Sequence, residues 1–328
     1  MEKLLSVCIP MYNAEKTIEE CLLSCIDERY KDYLDVIIVN NSSNDGSIKI
    51  AHEYQNKFPN TIRVFMRDTK DIGGAYNIAI KNSNGKFFMI LDADDLLDND
   101  GLNDLINKLK VTGDVDLVVF DRKNFELNNQ IVKQTGVPEN LICDFDEWCS
   151  KIQIFIHQIC FSTKLLKNYK IKADENYIQF ADNVFAWKAF CNTQKFIYIP
   201  VIAYKYRITE LQSLSINGIR KYYLDGVKVA VSMNSLYEEC KAAGVLSKAK
   251  QSLFYNSLKT VFYGAYHRLL FVNIAERKTN VKLLNSQIDD IKLWKDMPIY
   301  TRLIRDNVII LHPILKACFF IIKKIIVR

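Results

Sequence analysis

Three carboxylates, Asp92, Asp94 and Asp95, fall within four positions at the end of the apolar run 87–91 in FFMILDADDLL. Like charges this close raise each other's pKa, and a fold tolerates them mainly when something positive sits among them. A divalent cation bound through hard oxygen ligands meets that need, and carboxylates suit Mg2+ or Mn2+. The plain alternative is a solvated acidic turn that ends a strand. Two more polar clusters decide between these readings. Pro10, Met11, Tyr12 and Asn13 follow one short apolar run, and Asn40, Asn41, Ser42, Ser43, Asn44 and Asp45 follow another.

The three clusters meet only if the runs before them are strands of one sheet. Apolar runs at 4–9, 35–39, 61–66, 86–91 and 116–120 read as strands. Between them, helical spacing predicts helices at 14–28 with Asn13 as N-cap, at 47–57, at 74–82 closed by Gly85, and at 100–111. Alternation of this kind means βαβ units and a mainly parallel sheet with helices on both faces. Such sheets bind ligands beyond the carboxyl ends of their strands, where all three clusters lie. Independent surface turns have no reason to coincide there, so a ligand site is the better reading. Asp95 either supports the metal or caps the next turn, and Asp45 reads as a cap for the helix that follows it.

Residues 121–215 are mixed, with a helix start at ADNVFAWKAF (181–190) and a strand at FIYIPVIAYKYR (196–207). Helical spacing takes over from 218. The expected organisation is an α/β domain at 1–216 and a helical domain at 217–328. The latter ends in a basic amphipathic tail carrying Lys316, Lys323, Lys324 and Arg328. That tail suits either a membrane interface with anionic lipid or a core or oligomer helix.

With 49% hydrophobic and 25% charged residues, the chain has a globular composition. Its 44 basic against 38 acidic residues do not mark a nucleic-acid binder. Nine cysteines are scattered without CxxC pairs, and Cys8, Cys21, Cys25, Cys160 and Cys191 sit among apolar neighbours. Reduced, buried thiols in a cytoplasmic protein are expected. A signal peptide, a membrane-spanning run and a structural zinc site are not expected. His157 and His267 read as structural histidines.

The order SVCIPMYNAEKTIEECLLS, DVIIVNNSSNDGS and GGAYNIAIKNSNGKFFMILDADD resembles the N-terminal half of family-2 glycosyltransferases, of the bacterial surface-polysaccharide type. ADNVF resembles that family's "ED" segment, and IPVIAYKYR with Ser213 and Ser215 its later Y-x-Y-R stretch; together the likeness covers about 4–215. The resemblance implies a GT-A (Rossmann-like) fold and an inverting transfer from a nucleotide diphosphate sugar, a UDP-sugar, to a glycan or lipid-linked acceptor. It implies Asp94 as metal ligand with Asp92 beside it, and Asp182 as the general base. Pro10, Tyr12, Asn13, Asn41, Asn77, Ala93 and Arg207 would join the two aspartates in holding the donor. The chain departs from the family pattern at four places. Asn40-Asn41 replaces an acidic pair, Ser42 a glycine, Tyr76 an arginine, and Ala181 the glutamate before Asp182. These departures leave a second reading open, a non-catalytic protein that binds a nucleotide sugar or a partner on the same fold. For Asp182 the alternative role is an N-cap. A phosphatase of the haloacid dehalogenase type, which also places DxD after a strand, fits poorly because the motif is on the fourth strand and Leu96 fills its Thr/Val slot.

Overall fold

The computed structural model describes residues 2–126, 128–152, 155–177, 180–208, 222–269 and 273–286. Four strands, β1 (Leu5–Met11), β2 (Leu34–Asn41), β3 (Ile62–Arg67) and β4 (Phe87–Ile90), run parallel in the order β3-β2-β1-β4. A two-residue strand, β5 (Leu96–Leu97), follows the acidic turn. Then come β6 (Leu117–Glu126), β7 (Ile131–Val132), β8 (Ile142–Asp144), β9 (Ile159–Ser162) and β10 (Lys195–Ile208). β9 lies antiparallel between β4 and β6, and β10 is parallel to β6. The long strands therefore share one direction, and the reversed β9 joins the two halves of the sheet. β2 is buried along its whole length, as a strand covered on both faces must be.

One face of the sheet (Val7, Ile9, Val36, Ile38, Phe87, Met89) packs against α1 (Ile18–Leu23), α2 (Ser47–Lys57) and α4 (Asn99–Val111) through Ile18, Leu22, Ala51, Leu102 and Leu105. The other face is covered by α3 (Ile72–Asn82) and α7 (Ala181–Asn192). There Phe185 of α7 meets Tyr76 of α3 at 5.8 Å and Phe161 of β9 at 5.4 Å between ring centroids. Tyr76, at the family's arginine position, is thus an aromatic core residue. The short α5 (Phe145–Trp148) and α6 (Thr163–Asn168) border β8 and β9.

Several boundaries differ from the sequence reading, each for a local reason. The helix expected at 14–28 covers only Ile18–Leu23, and Asn13 does not cap it. The amides of Asn13, Ala14 and Glu15 are taken by side chains of the next loop, so the first turn forms later. α3 and α4 begin earlier than expected because Asp71 and Asp98 accept from the amides of Gly74 and Gly101 at 2.7 and 3.0 Å. Gly85 does not close a helix; it lets the chain pass β1, where a Cβ would come within 2.5 Å of the Ser6 nitrogen. Gly101 is tighter still, since a Cβ there would lie 1.7 Å from the Ile202 carbonyl oxygen on β10.

Two compact units divide the described chain. One holds the sheet, with Gly244–Lys250 joined to it; the other is built from α8 (Tyr223–Ala242), α9 (Lys248–Arg268) beyond Lys250, and α10 (Ile274–Ser286). The boundary expected near 216, Ser213, Ser215 and the basic tail lie outside the described residues. Among the described residues no helix is long and apolar enough to cross a membrane. Cys8, Cys21, Cys25, Cys160 and Cys191 are buried and in no disulfide, and burial pushes Cys25 up to about 12.

Candidate active site

The first wall of the site is a pair of loops fastened to each other. After β1, Asn13 takes a left-handed backbone (φ 50°), which asparagine tolerates better than most residues. Its amide donates to Ser43 Oγ at 3.0 Å, and its side-chain oxygen accepts from the Asn44 amide at 2.9 Å. Ala14 N donates to Ser47 Oγ at 2.8 Å, and Glu15 N to Asp45 Oδ2 at 3.1 Å. Asp45 also accepts from Ser47 N at 3.1 Å; the N-cap of α2 is Gly46, so Asp45 sits one residue before the cap and binds the first loop as well. Tyr12 is 43% exposed beside these loops, with Lys70 Nζ 5.0 Å from its ring centroid. At the end of β2, the buried Asn41 Oδ1 has no hydrogen-bond partner.

The acidic turn forms the floor. Asp94 is exposed, while Asp95 is buried and each of its carboxylate oxygens accepts a hydrogen bond. Asp95 Oδ2 accepts from the Tyr204 hydroxyl at 2.6 Å and Oδ1 from the Arg207 amide at 2.7 Å. The same Tyr204 oxygen accepts from Asp92 N at 3.2 Å. Asp95 therefore locks the turn to β10 and caps no helix; Asp98 does that. Desolvation, then the charges of Asp92 and Asp94, push the Asp95 carboxyl up to about 8. Asp94 is raised by the same causes, desolvation first and then Asp92. A cluster under this mutual repulsion is a receptive place for a cation.

The turn's neighbours come from far along the chain. His157, in a 3-10 turn (Ile156–Gln158), places Nε2 3.1 Å from Asp92 Oδ2. Its ring lies 5.3 Å from that of Tyr204 and 5.1 Å from that of Tyr206. Burial pulls the imidazole pKa down, but the Asp92 hydrogen bond and the charges of Asp92, Asp95 and Asp182 carry it above its ordinary value. Ligand atoms of Asp92, Asp95 and His157 fall within 4.8 Å of one another. Asp182 stands in the first turn of α7, after Phe180 in a left-handed conformation (φ 66°), so it is not the N-cap. Its carboxyl is raised, chiefly by desolvation; His157 opposes the shift and Asp92 adds to it. Asp182 therefore lies within electrostatic reach of His157 and Asp92.

Not every expected residue points where the sequence suggested. The Arg207 guanidinium is engaged by Glu20 (2.6 Å), by Glu126 and by the Asp94 carbonyl, so it clamps the acidic turn. Asn77 spends its amide on Ala173 (2.8 and 3.0 Å) and Glu175 (2.8 Å), which secures the segment leading to α7. Pro10 lies within β1, in register with Val39, and Ala93 is buried between the aspartates. His157, Tyr204, Tyr206, Glu20 and Glu126 were not foreseen as site residues. His157, read from the sequence as a structural histidine, is satisfied by a direct hydrogen bond to Asp92, which sets it against the acidic turn.

A family model for Glycosyl transferase family 2 matches residues 6–179. An uncharacterized glycosyltransferase of Methanocaldococcus jannaschii is 28% identical over 209 residues, 62% of this chain and 71% of that protein. The poly(ribitol-phosphate) beta-N-acetylglucosaminyltransferase TarS of Staphylococcus aureus is 26% identical over 61% of this chain and 35% of its own length. A poly(ribitol-phosphate) beta-glucosyltransferase of Bacillus spizizenii is 29% identical over 58% and 30%. The chain thus matches only about a third of these two longer relatives. Among solved structures, S. aureus TarS 1–349 in complex with UDP-GlcNAc superposes with a TM-score of 0.57 at 18% identity, covering 93% of this chain and 91% of that one. A Pyrobaculum calidifontis mannosyltransferase in complex with GDP-Man and Mn2+ gives 0.53 at 15% identity, covering 93% and 86%. At such identities these likenesses speak for the fold, which is GT-A.

Proposed function

The chain belongs to glycosyl transferase family 2, and from that membership we propose that it transfers a hexosyl or N-acetylhexosaminyl group from a UDP-sugar to a hydroxyl of a glycan or lipid-linked acceptor, with inversion. What supports this reading is the acidic turn hydrogen-bonded to His157, with Asp182 within electrostatic reach of both, beside two fastened loops at the ends of β1 and β2. The UDP-GlcNAc complex of one structural neighbour supports the choice of donor, as do the sugars in the names of two relatives.

In this reading Pro10, Tyr12, Asn13 and Asn41 hold the nucleoside. The partnerless Asn41 Oδ1 is an acceptor that a base N–H would satisfy, and being neutral it replaces charge with a plain hydrogen bond. Asp182 takes the proton of the acceptor hydroxyl. The freed oxygen attacks the anomeric carbon from the face opposite the diphosphate, the glycosidic C–O bond breaks, and the nucleoside diphosphate leaves with the electron pair. A carboxyl raised by desolvation is a stronger base than a solvated one, which suits that role. Arg207 holds the turn and gives the leaving diphosphate a cation if its pairing with Glu20 loosens.

The donor set fits a divalent cation. Asp94 is open to solvent and raised by its neighbours, and Asp92 keeps one oxygen free of His157, so these two would hold the ion. Asp95 is committed to Tyr204 and Arg207, and it supports the others. Mg2+ or Mn2+ there would supply charge neutralisation for the diphosphate. The basic tail would keep the protein at the inner face of the membrane, near a lipid-linked acceptor.

Calorimetry of UDP-sugar binding with and without chelator, paired with a hydrolysis screen of nucleotide sugars, tests the proposal. Metal-dependent binding with turnover, largely abolished in Asp94→Asn, is expected. Equal affinity with and without chelator would remove the metal, and binding without any turnover would favour the non-catalytic reading.

A further inference from the structure

Five arginines lie in the sheet unit up to residue 208, and four of them are ion-paired: Arg29, Arg63, Arg67 and Arg207. Arg122 is not. It makes no ion pair or hydrogen bond among the described residues, and its Nε and Nη1 are buried without partners. The acid whose charge it feels, Asp95, has both oxygens committed elsewhere. A partly buried cation without a counter-charge is costly, and native folds keep few such orphans without a use for them. Two rings offset part of that cost: Phe155 and Tyr206, with centroids 5.2 and 4.6 Å from the guanidinium carbon.

The position of Arg122 gives the orphan a meaning. Tyr206, on which it stacks, also contacts His157, and His157 bonds Asp92, so Arg122 is two ring contacts from the acidic turn. It lies on β6, separated by β9 and β4 from the strands that carry the nucleoside loops. Asn124, two residues along the same strand, has a buried Oδ1 without a partner. So does Gln158, whose amide nitrogen donates to the carbonyl of Val132, the register partner of Arg122. Phe155 stays 43% exposed beside them. An exposed ring, an unpaired guanidinium and two unsatisfied amide oxygens together describe a place for a polyhydroxylated ligand that carries an anion.

We propose that Arg122, with Asn124, Gln158 and Phe155, forms an acceptor subsite that reads a phosphate group borne by the acceptor near the hydroxyl to be glycosylated. This rests on the glycosyltransferase reading of the neighbouring site. Phosphate is favoured over carboxylate because it presents an acceptor oxygen to each of several guanidinium N–H groups at once. The acidic turn would otherwise repel such a substrate, and Arg122 offsets that field locally.

The test is binding of sn-glycerol 3-phosphate, inorganic phosphate and glucuronate to the full-length protein saturated with UDP and metal, so that the diphosphate position is already filled. Wild type is expected to bind sn-glycerol 3-phosphate, Arg122→Gln to bind it at least tenfold more weakly, and Arg122→Lys to recover part of the loss. UDP affinity, measured alongside, should change by less than about twofold. If UDP itself fails to bind, the donor reading falls, while the phosphate titration can still be run without nucleotide. Equal phosphate affinity in wild type and Arg122→Gln, no phosphate binding at all, or tighter binding of glucuronate would each overturn the proposal. Thermal melting of Arg122→Met guards against a purely structural role. Without ligand that variant should be at least as stable as wild type, and a marked loss of stability would show that the guanidinium serves packing instead.

Discussion

Removing one oxygen atom, in Tyr204→Phe, probes the link between the acidic turn and β10. The Tyr204 hydroxyl is buried, donates to Asp95 Oδ2 at 2.6 Å and accepts from the Asp92 amide at 3.2 Å. Loss of a hydrogen bond to a charged or partly charged carboxyl costs about 1.5–3 kcal/mol, and the orphaned backbone amide adds roughly 1 kcal/mol. The ring itself is retained, so no cavity forms beyond the hydroxyl. Together these give about 2.5–4 kcal/mol, or roughly 5–15 °C in melting temperature for a unit of this size. Scanning fluorimetry and urea melts with chelator present would measure it, with an unchanged m-value showing that only stability has moved. Tyr206→Phe is the internal control. Its hydroxyl enters no hydrogen bond among the described residues, whereas its ring keeps the contacts to His157 and Arg122. That variant should stay within about 0.5 kcal/mol of wild type. If both phenylalanine variants melt alike, the Tyr204 hydroxyl does not hold the turn and the reasoning fails.

Three further outcomes are expected. Asp182→Asn should fold normally and bind UDP-sugar nearly as wild type does, yet lose transfer by about 10²-fold or more in a steady-state assay, the scale of a lost general base; full activity would move the base elsewhere. Gly101→Ala should destabilise the sheet unit by about 2–3 kcal/mol or more in urea melts, because its Cβ meets the Ile202 backbone oxygen at 1.7 Å and α4 must shift. Deleting residues 306–328 should release the protein from phosphatidylglycerol vesicles at low salt while leaving donor hydrolysis intact; a changed sedimentation mass would assign the tail to an oligomer interface instead.

The features legible in the sequence were those written in local patterns. Continuous apolar runs marked β1, β2 and β4, and the polar clusters fall just beyond the carboxyl ends of those strands. The acidic turn announced itself through its own charge density. What stayed hidden depends on partners remote in the chain. His157 lies 65 residues from Asp92 and sits in a short turn with no periodicity of its own. The pairing of Arg207 with Glu20 spans 187 residues, so no spacing rule could have shown that this arginine is already engaged. α1 was overestimated because helical spacing cannot report that its first amides are claimed by another loop. The Asn77 side chain likewise gave no hint that residues 173–175 would occupy it.

Those claimed amides carry a practical implication for anyone reshaping the loops after β1 and β2. Asn13, Ala14 and Glu15 bind Ser43, Asn44, Asp45 and Ser47 through four reciprocal hydrogen bonds, so the loops after β1 and β2 behave as one mechanical part. Grafting either loop alone from another transferase would strand donors and acceptors on the one left behind. The smallest exchangeable cassette is therefore discontinuous, residues 12–15 together with 40–47, and a library that varies the two segments independently would consist mostly of mismatched halves.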